Sequence, residues 1–425
     1  MRVLVVGGGG REHAIVHRLS SDESVDQILA APGNAGIEQE AKCLPISADD
    51  TAGLVSLAMT EKADLVVVGP EAPLVAGLAD ELASHRIPVF GPQRDAARLE
   101  GSKSWARDFC TRHQIPSPRA RMFKDVADGT TYLDELDPPY VVKADGLAAG
   151  KGVTIAPDRE TAVAALEACL LERAFGDAGE LVLIEEHLSG QEISALALTD
   201  GREVLPLALA QDFKRIGDGD TGPNTGGMGA YSPVPFVDED TSKAITEDVL
   251  FATVRGLANE GIRYRGVLYA GLMLTDSGPR VLEFNCRFGD PETQSILPRL
   301  RGDLGELLLA SATGNLSGAA IDWNPDPCVT VTIASAGYPG EYRTGFPIDG
   351  LQDASSVEGV TVFHAGAALR DGRVVTAGGR VLSVSALGAS FEEARARVYE
   401  ACSLISFEGM QYRTDIAARV QGAEF

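Results

Sequence analysis

An α/β and α+β multidomain fold, led by a parallel-sheet domain, is predicted by three observations. Residues 2 to about 92 alternate short, wholly apolar strands with helical stretches, the pattern of a parallel sheet covered on both faces. From about 101 to 322 the strands are separated by glycine-rich polar segments, and the last hundred residues carry the strands CVTVTIASA, VTVFHAGA and RVLSVSAL before a final helix. At 425 residues, with 44% hydrophobic and 23% charged content, the chain is long enough for several cores.

In the first domain, taken as residues 1–100, RVLVVG, VDQILAA, DLVVVG and IPVFG are the strands; HAIVHRLSS, TAGLVSLAMTEK and LVAGLADELASH are the helices. Ligands of such sheets sit beyond the carboxyl ends of the strands. Those ends carry GGGGRE (7–12), APGNAG (31–36) and GPEAPL (69–74), so Gly9, Gly10, Asn34 and Glu71 are candidate substrate contacts. The glycine turn is a poor dinucleotide fingerprint. Counted from Gly7 or Gly8, the third glycine falls on Glu12 or His13, and the second strand ends Ala30-Ala31-Pro32 with no carboxylate for a ribose. Backbone N–H groups at the following helix start still suit a phosphate.

The second domain, 101–322, opens with GSKSWARDFCTRH, a helix beginning near Ser102, and the connector IPSP. Residues 117–190 read as a small α+β unit inserted into it. In VVKADGLAAGKG, Lys143 closes a strand, Gly146, Gly150 and Gly152 let the backbone bend over a ligand, and Lys151 stands at the tip, which makes a flexible hairpin lid over phosphates. It is not a P-loop, because a frame begun at Gly146 meets Lys151 before Gly152. LVLIEEHLSGQE ends a strand on Glu185 and Glu186, with Glu192 in reach of ribose hydroxyls if the strand end holds an adenine. The stretch QDFKRIGDGDTGPNTGGMGAYSP (211–233) is too long for an idle connection and reads as a folded binding loop bearing Asp212, Lys214, Arg215, Asp220 and Asn224.

VLEFNCRFGDPE (281–292) carries the densest chemistry. As a strand it directs Glu283, Asn285 and Arg287 to one face and Leu282, Phe284, Cys286 and Phe288 to the other. Oxygen ligands from Glu283 and Asn285 suit a hard divalent cation, and Arg287 suits a phosphate or carboxylate. The final hundred residues have few polar groups at catalytic spacing and read as a structural domain that helps close a cleft. Its helix opens at Ser390 with Glu393 three residues on, a capping box.

Composition excludes several classes. A formal net charge of −24 opposes a nucleic-acid or acidic-membrane partner. No apolar run approaches the ~18 residues of a membrane span, and the amino terminus breaks into glycines too early for a secretory signal. The six cysteines, at 43, 110, 169, 286, 328 and 402, form no CxxC pair, so reduced thiols and a cytoplasmic location are expected. Only eight residues are lysine against 29 arginines, yet Lys103, Lys143, Lys151 and Lys214 all fall in the motifs above, where a compact point charge suits phosphate.

Taken together, GGGGREHA, APGNAG, GPEAPLVAGL, LEGSK, KADGLAAGKGV, the 211–233 loop, YAGLM, EFNCRFGDPETQ, AGYPGEYRTG and GGRVLSV resemble the ATP-grasp ligases, and within them the phosphoribosylamine-glycine ligase family, nearly end to end. The resemblance implies a preATP-grasp domain (1–100), an ATP-grasp fold (101–322) with its lid at about 117–190, and a C-terminal α+β domain (323–425). It implies that ATP, glycine and 5-phosphoribosylamine give glycinamide ribonucleotide, ADP and phosphate through glycyl phosphate, the second step of purine biosynthesis. It places Mg2+ or Mn2+ on Glu283 and Asn285, and ATP against Lys103, Lys143, Gly150, Glu185, Glu186, Leu188 and Glu192. Arg287, Lys143 and Lys151 would serve catalysis, and Gly9, Gly10, Asn34, Glu71, Asp212, Lys214, Asn224, Gly226, Arg287 and Asp290 the substrates. A monomer with small-molecule partners, no nucleic acid and no membrane is expected. Two positions depart from related patterns: Phe213 stands where the family often has His or Tyr, and Gly271 where carboxylase-type relatives place a second acidic ligand.

Overall fold

The computed structural model describes residues 1–146 and 152–420. The N-terminal sheet has five parallel strands in the order Lys42–Cys43, Gln27–Pro32, Arg2–Gly7, Leu65–Val68 and Val89–Phe90. Val3 to Val6 of the central strand are all fully buried, and alternate residues serve different cores: Leu4 and Val6 face one cluster, Val3 and Val5 the other. That is why the strand is apolar at every position. The expected helix over LVAGLADELASH starts earlier and is broken: Glu71–Ala76 and Leu78–Ser84 meet at Gly77, whose φ of +98° ends one helix and opens the next.

Ser102 caps the helix Lys103–Arg112, its hydroxyl accepting from the Trp105 N–H at 3.2 Å. The inserted unit is an antiparallel sheet in the order Ala120–Phe123, Val182–Glu186, Tyr140–Ala144 and Val153–Ala156, backed by the helices Val126–Tyr132 and Arg159–Leu170. It has a core of its own around Leu133, Val142, Leu166 and Ile184. A second antiparallel sheet runs Val204–Pro206, Gln191–Thr199, Gly266–Thr275 and Gly278–Asn285, with the polar strand at its edge.

The third sheet contains Gln211–Asp212, Gly229–Ser232, Cys328–Ser335, Arg380–Leu387 and Val360–His364, with Met410–Gln411 pairing beside Cys328–Ser335. The long polar stretch is therefore no free loop. Its two ends are strands of the C-terminal sheet, and between them Arg215–Gly217 and Thr221–Asn224 form a hairpin. The helix Phe391–Leu404 is capped by Ser390, but Glu393 accepts from the Ala389 N–H at 2.7 Å rather than from Ser390 itself. All six cysteines are free thiols. Among the described residues no helix is long and apolar enough to cross a membrane.

Candidate active site

A cleft of about 640 Å³ lies where the inserted unit, the edge strand Gly278–Asn285, the 211–226 segment and the N- and C-terminal domains converge. The edge strand delivers its polar face as expected from Phe284 onward, since Phe284, Cys286 and Phe288 are buried while Asn285 and Arg287 are partly open. Before that, the alternation breaks. Gly271 pairs with Glu283 and Leu272 with Val281, so Leu282 is a bulge residue that lines the cleft instead of the core. Its carbonyl accepts from Lys143 Nζ at 3.0 Å and from Arg107 at 3.2 Å.

One wall gathers the lysines. Lys143 Nζ lies 2.7 Å from Glu185, whose other oxygen is 2.7 Å from the Arg107 guanidinium. Burial alone would raise the Glu185 carboxyl; Lys143 and Arg107 outweigh it and hold it below the usual range. Lys103 Nζ donates to the Gly146 carbonyl at 2.8 Å, and burial lowers its ammonium below the ordinary lysine value. Glu283 faces these groups. Burial pushes its carboxyl up, but Lys214, Lys143 and Lys103 hold it below the usual range and so ionised. Among the described residues no cluster of three or more His, Cys, Asp or Glu side chains is suited to a metal. Glu283 and Asn285 supply two oxygens, which fits an ion completing its shell with phosphate oxygens and water. A Cβ on Gly271 would come within 3.2 Å of Glu283 Cγ, so a larger acidic side chain there would crowd the carboxylate.

The opposite wall is assembled from all three sequence regions. Arg287 pairs with Glu100 at 2.9 Å and Glu71 at 3.2 Å, and also donates to Asn285 Oδ1 at 3.3 Å. Burial opposes its charge, but the two carboxylates hold the guanidinium more firmly protonated than usual. Arg380, from the C-terminal sheet, pairs with Asp290 at 3.2 Å and donates to the carbonyls of Asp290 and Gly226. Burial would raise the Asp290 carboxyl; Arg380 and Arg11 bring it below the usual range. The Gly226 N–H donates to the Tyr338 hydroxyl at 2.9 Å.

Lys214 bridges the walls, paired with Glu192 and 3.6 Å from Asp212 Oδ1. That Asp212 oxygen has no hydrogen-bond partner, and burial pushes the carboxyl up to about 7 against the pull of Lys214. Phe213, between them, packs against Tyr231 and lies under the Arg413 guanidinium, 4.9 Å from the ring centre.

Of the residues singled out from sequence, Glu71, Lys103, Lys143, Glu185, Glu186, Leu188, Glu192, Asp212, Lys214, Asn224, Gly226, Glu283, Asn285, Arg287 and Asp290 line this one cleft. The Glu186 carboxylate turns to Arg119 at 2.8 Å. Gly9, Gly10 and Asn34 lie off the lining. The Gly9 N–H donates to Glu12 at 2.6 Å, and Asn34 donates to the carbonyls of Gly8 at 2.9 Å and His364 at 2.7 Å. Gly150 and Lys151 fall outside the described residues. Arg11, Glu100, Arg107, Tyr338 and Arg380 also line the cleft and were not singled out as site residues. LEGSK and GGRVLSV contain Glu100 and Arg380, but their spacing alone gave no chemical signal.

Residues 1–100, 101–293 and 328–419 match the N domain, the ATP-grasp (A) domain and the C domain of phosphoribosylglycinamide synthetase. The chain belongs to the phosphoribosylglycinamide synthetase family. It is 48% identical to a phosphoribosylamine–glycine ligase of Pseudomonas aeruginosa, over 100% of this chain and 99% of the relative. The crystal structure of the Thermotoga maritima phosphoribosylamine–glycine ligase superposes with a TM-score of 0.86 at 35% identity, covering 98% of this chain and 100% of that one. The biotin carboxylase domain of Hydrogenobacter thermophilus 2-oxoglutarate carboxylase shares the fold at a TM-score of 0.75 and 17% identity, covering 98% of this chain and 97% of that one. Within the synthetase family, the Gly271 that leaves Glu283 its room belongs to the ATP-grasp domain match.

Proposed function

We propose that this cleft joins glycine to 5-phosphoribosylamine at the expense of ATP, giving glycinamide ribonucleotide, ADP and phosphate; its full-length relatives are named phosphoribosylamine–glycine ligases, and the matched domain is an ATP-grasp domain. The observation that carries the reading is the ionised Glu283 ringed by Lys103, Lys143 and Lys214 inside a cleft large enough for a nucleotide and a second substrate. Glu283 and Asn285 would hold magnesium or manganese, which when bound neutralises charge on the ATP phosphates.

The remaining roles are those the family resemblance implies, set on the residues that line the cleft. Lys103 and Lys143 face the phosphates; Arg107 and Glu185 fix Lys143 from behind. The segment Glu186 to Leu188 offers backbone to the adenine, and Glu192 lies by the ribose. The glycine carboxylate attacks the γ-phosphorus, giving glycyl phosphate and ADP, and developing charge is met by fixed cations that need no rearrangement. The phosphoribosylamine nitrogen then attacks the acyl carbon and phosphate leaves. The inserted unit, whose Lys143, Ile155 and Glu185 line the cleft, would cover it and keep water from the acyl phosphate. Cleft residues Glu71, Asp290 and Arg287 would face phosphoribosylamine, near the strand-end loops that hold Gly9, Gly10 and Asn34. A cytoplasmic monomer divided at residues 100 and 322 completes the proposal.

Phosphate release should require ATP, a divalent metal, glycine and freshly made phosphoribosylamine together. Release without either glycine or phosphoribosylamine, or none with both, overturns the reading.

A further inference from the structure

Arg413, in the C-terminal domain, lies outside the cleft, yet it carries a charge at 1% side-chain exposure. Its Nε and NH2 donate to both oxygens of Asp415 at 2.7 Å, and NH1 donates to Asp220 at 2.8 Å and to the Arg215 carbonyl at 3.1 Å. Asp220 sits in the hairpin turn with φ +55°, a left-handed conformation uncommon for a non-glycine residue, though Asp tolerates it better than most. The neighbours of Arg413 grip the same hairpin. The Gly219 N–H donates to Asp415 at 2.8 Å, and the Thr414 N–H donates to Asp218 at 2.8 Å. The face of the guanidinium covers Phe213. Phe213 is flanked by Asp212 and Lys214, which line the cleft, and the same hairpin ends in Asn224, Thr225 and Gly226, which line it too.

We propose that Arg413 is a positioning residue for the reaction: it clamps the rear of the 213–221 segment and so sets where Asp212, Lys214 and Asn224 to Gly226 stand in the cleft. A buried guanidinium locked to a carboxylate at both oxygens fixes orientation as well as distance, which a lysine cannot reproduce. Toward the ATP side the clamp acts only through Lys214, which Glu192 also holds. Lys103 and Lys143, which face the ATP phosphates, are held by Gly146, Glu185 and Leu282 instead. The substrate that feels the clamp is therefore the one at the Gly226 end, next to Arg380 and Asp290, which rests on the assignment of phosphoribosylamine above.

The test is Arg413→Lys, with Asp415→Asn as a milder variant that keeps the buried charge. For Arg413→Lys, KM for phosphoribosylamine should rise about tenfold while kcat and KM for ATP change less than about threefold. Asp415→Asn should shift the same constant by a smaller factor. Amide hydrogen exchange should quicken across 212–226 and stay unchanged in the rest of the C-terminal sheet. Unchanged constants in both variants, or faster exchange spread over the whole C-terminal sheet, would overturn the proposal. Exchange needs no turnover: if the wild-type chain releases no phosphate with both substrates, the reaction assignment fails while the exchange pattern still decides the clamp.

Discussion

The two walls of the cleft are built in opposite ways. The lysine wall joins a few neighbouring elements: a helix start at Lys103, a strand end at Lys143, and the adjacent strand that presents Glu185. The wall around Arg287 joins segments hundreds of residues apart, with Glu71, Glu100, Asp290 and Arg380 meeting only after three domains have packed. The first wall is built within the 101–293 region, where Lys143 and Arg107 also reach the Leu282 carbonyl, and the second needs all three regions to pack. Damage to the first should therefore stop chemistry, whereas damage to the second should weaken binding of one substrate.

Glu283→Ala is the largest expected break. It removes one of two metal oxygens and leaves three lysine ammoniums without their shared anion, so kcat should fall by about 10³-fold or more with the fold retained. Near-normal turnover at saturating magnesium would contradict the lysine wall as the site of phosphoryl transfer. Arg380→Ala comes next. Asp290 loses its 3.2 Å partner, and KM for phosphoribosylamine should rise on the order of 10-fold, with KM for ATP nearly constant. An equal rise in both would erase the distinction between the walls.

A third effect, read in stability rather than turnover, concerns the seam behind the second wall. His364 donates its N–H to His13 Nδ1 at 2.7 Å, and its carbonyl accepts from Asn34. Burial, reinforced by His13, lowers the His364 imidazole from 6.5 to about 4. The unfolded chain thus takes up the proton first. Stability is untouched above pH 6.5, declines as pH falls from 6.5 toward 4, and levels off below that, by on the order of 3 kcal/mol. Melting temperature against pH for His364→Asn should be flatter than wild type across that interval; parallel curves would remove His364 from the acid response.

The same contrast explains what the sequence made legible. Strands, helix starts and the motif residues of the lysine wall announce themselves through local pattern, as Ser102 and the VVKADG strand do. The bulge at Leu282 does not, because it depends on how Gly266–Thr275 pairs across from it. Arg380 reads as an ordinary residue at the head of a C-terminal strand and acquires its role only by reaching Asp290. Asn34 shows the reverse: a loop residue with the right chemistry for a ligand is spent on carbonyls of Gly8 and His364. The resemblance to a family supplied the substrates, which no spacing or charge in this chain specifies.

Glu12 carries a last consequence. Its carboxylate takes the Gly9 N–H and rests against Gly7 and Gly69, at the helix start where a nucleotide-binding sheet would receive a pyrophosphate. The first domain brings its own resident anion. A side chain that fills the cradle closes it to a pyrophosphate, leaving the sheet to serve as scaffold for chemistry conducted by its neighbours.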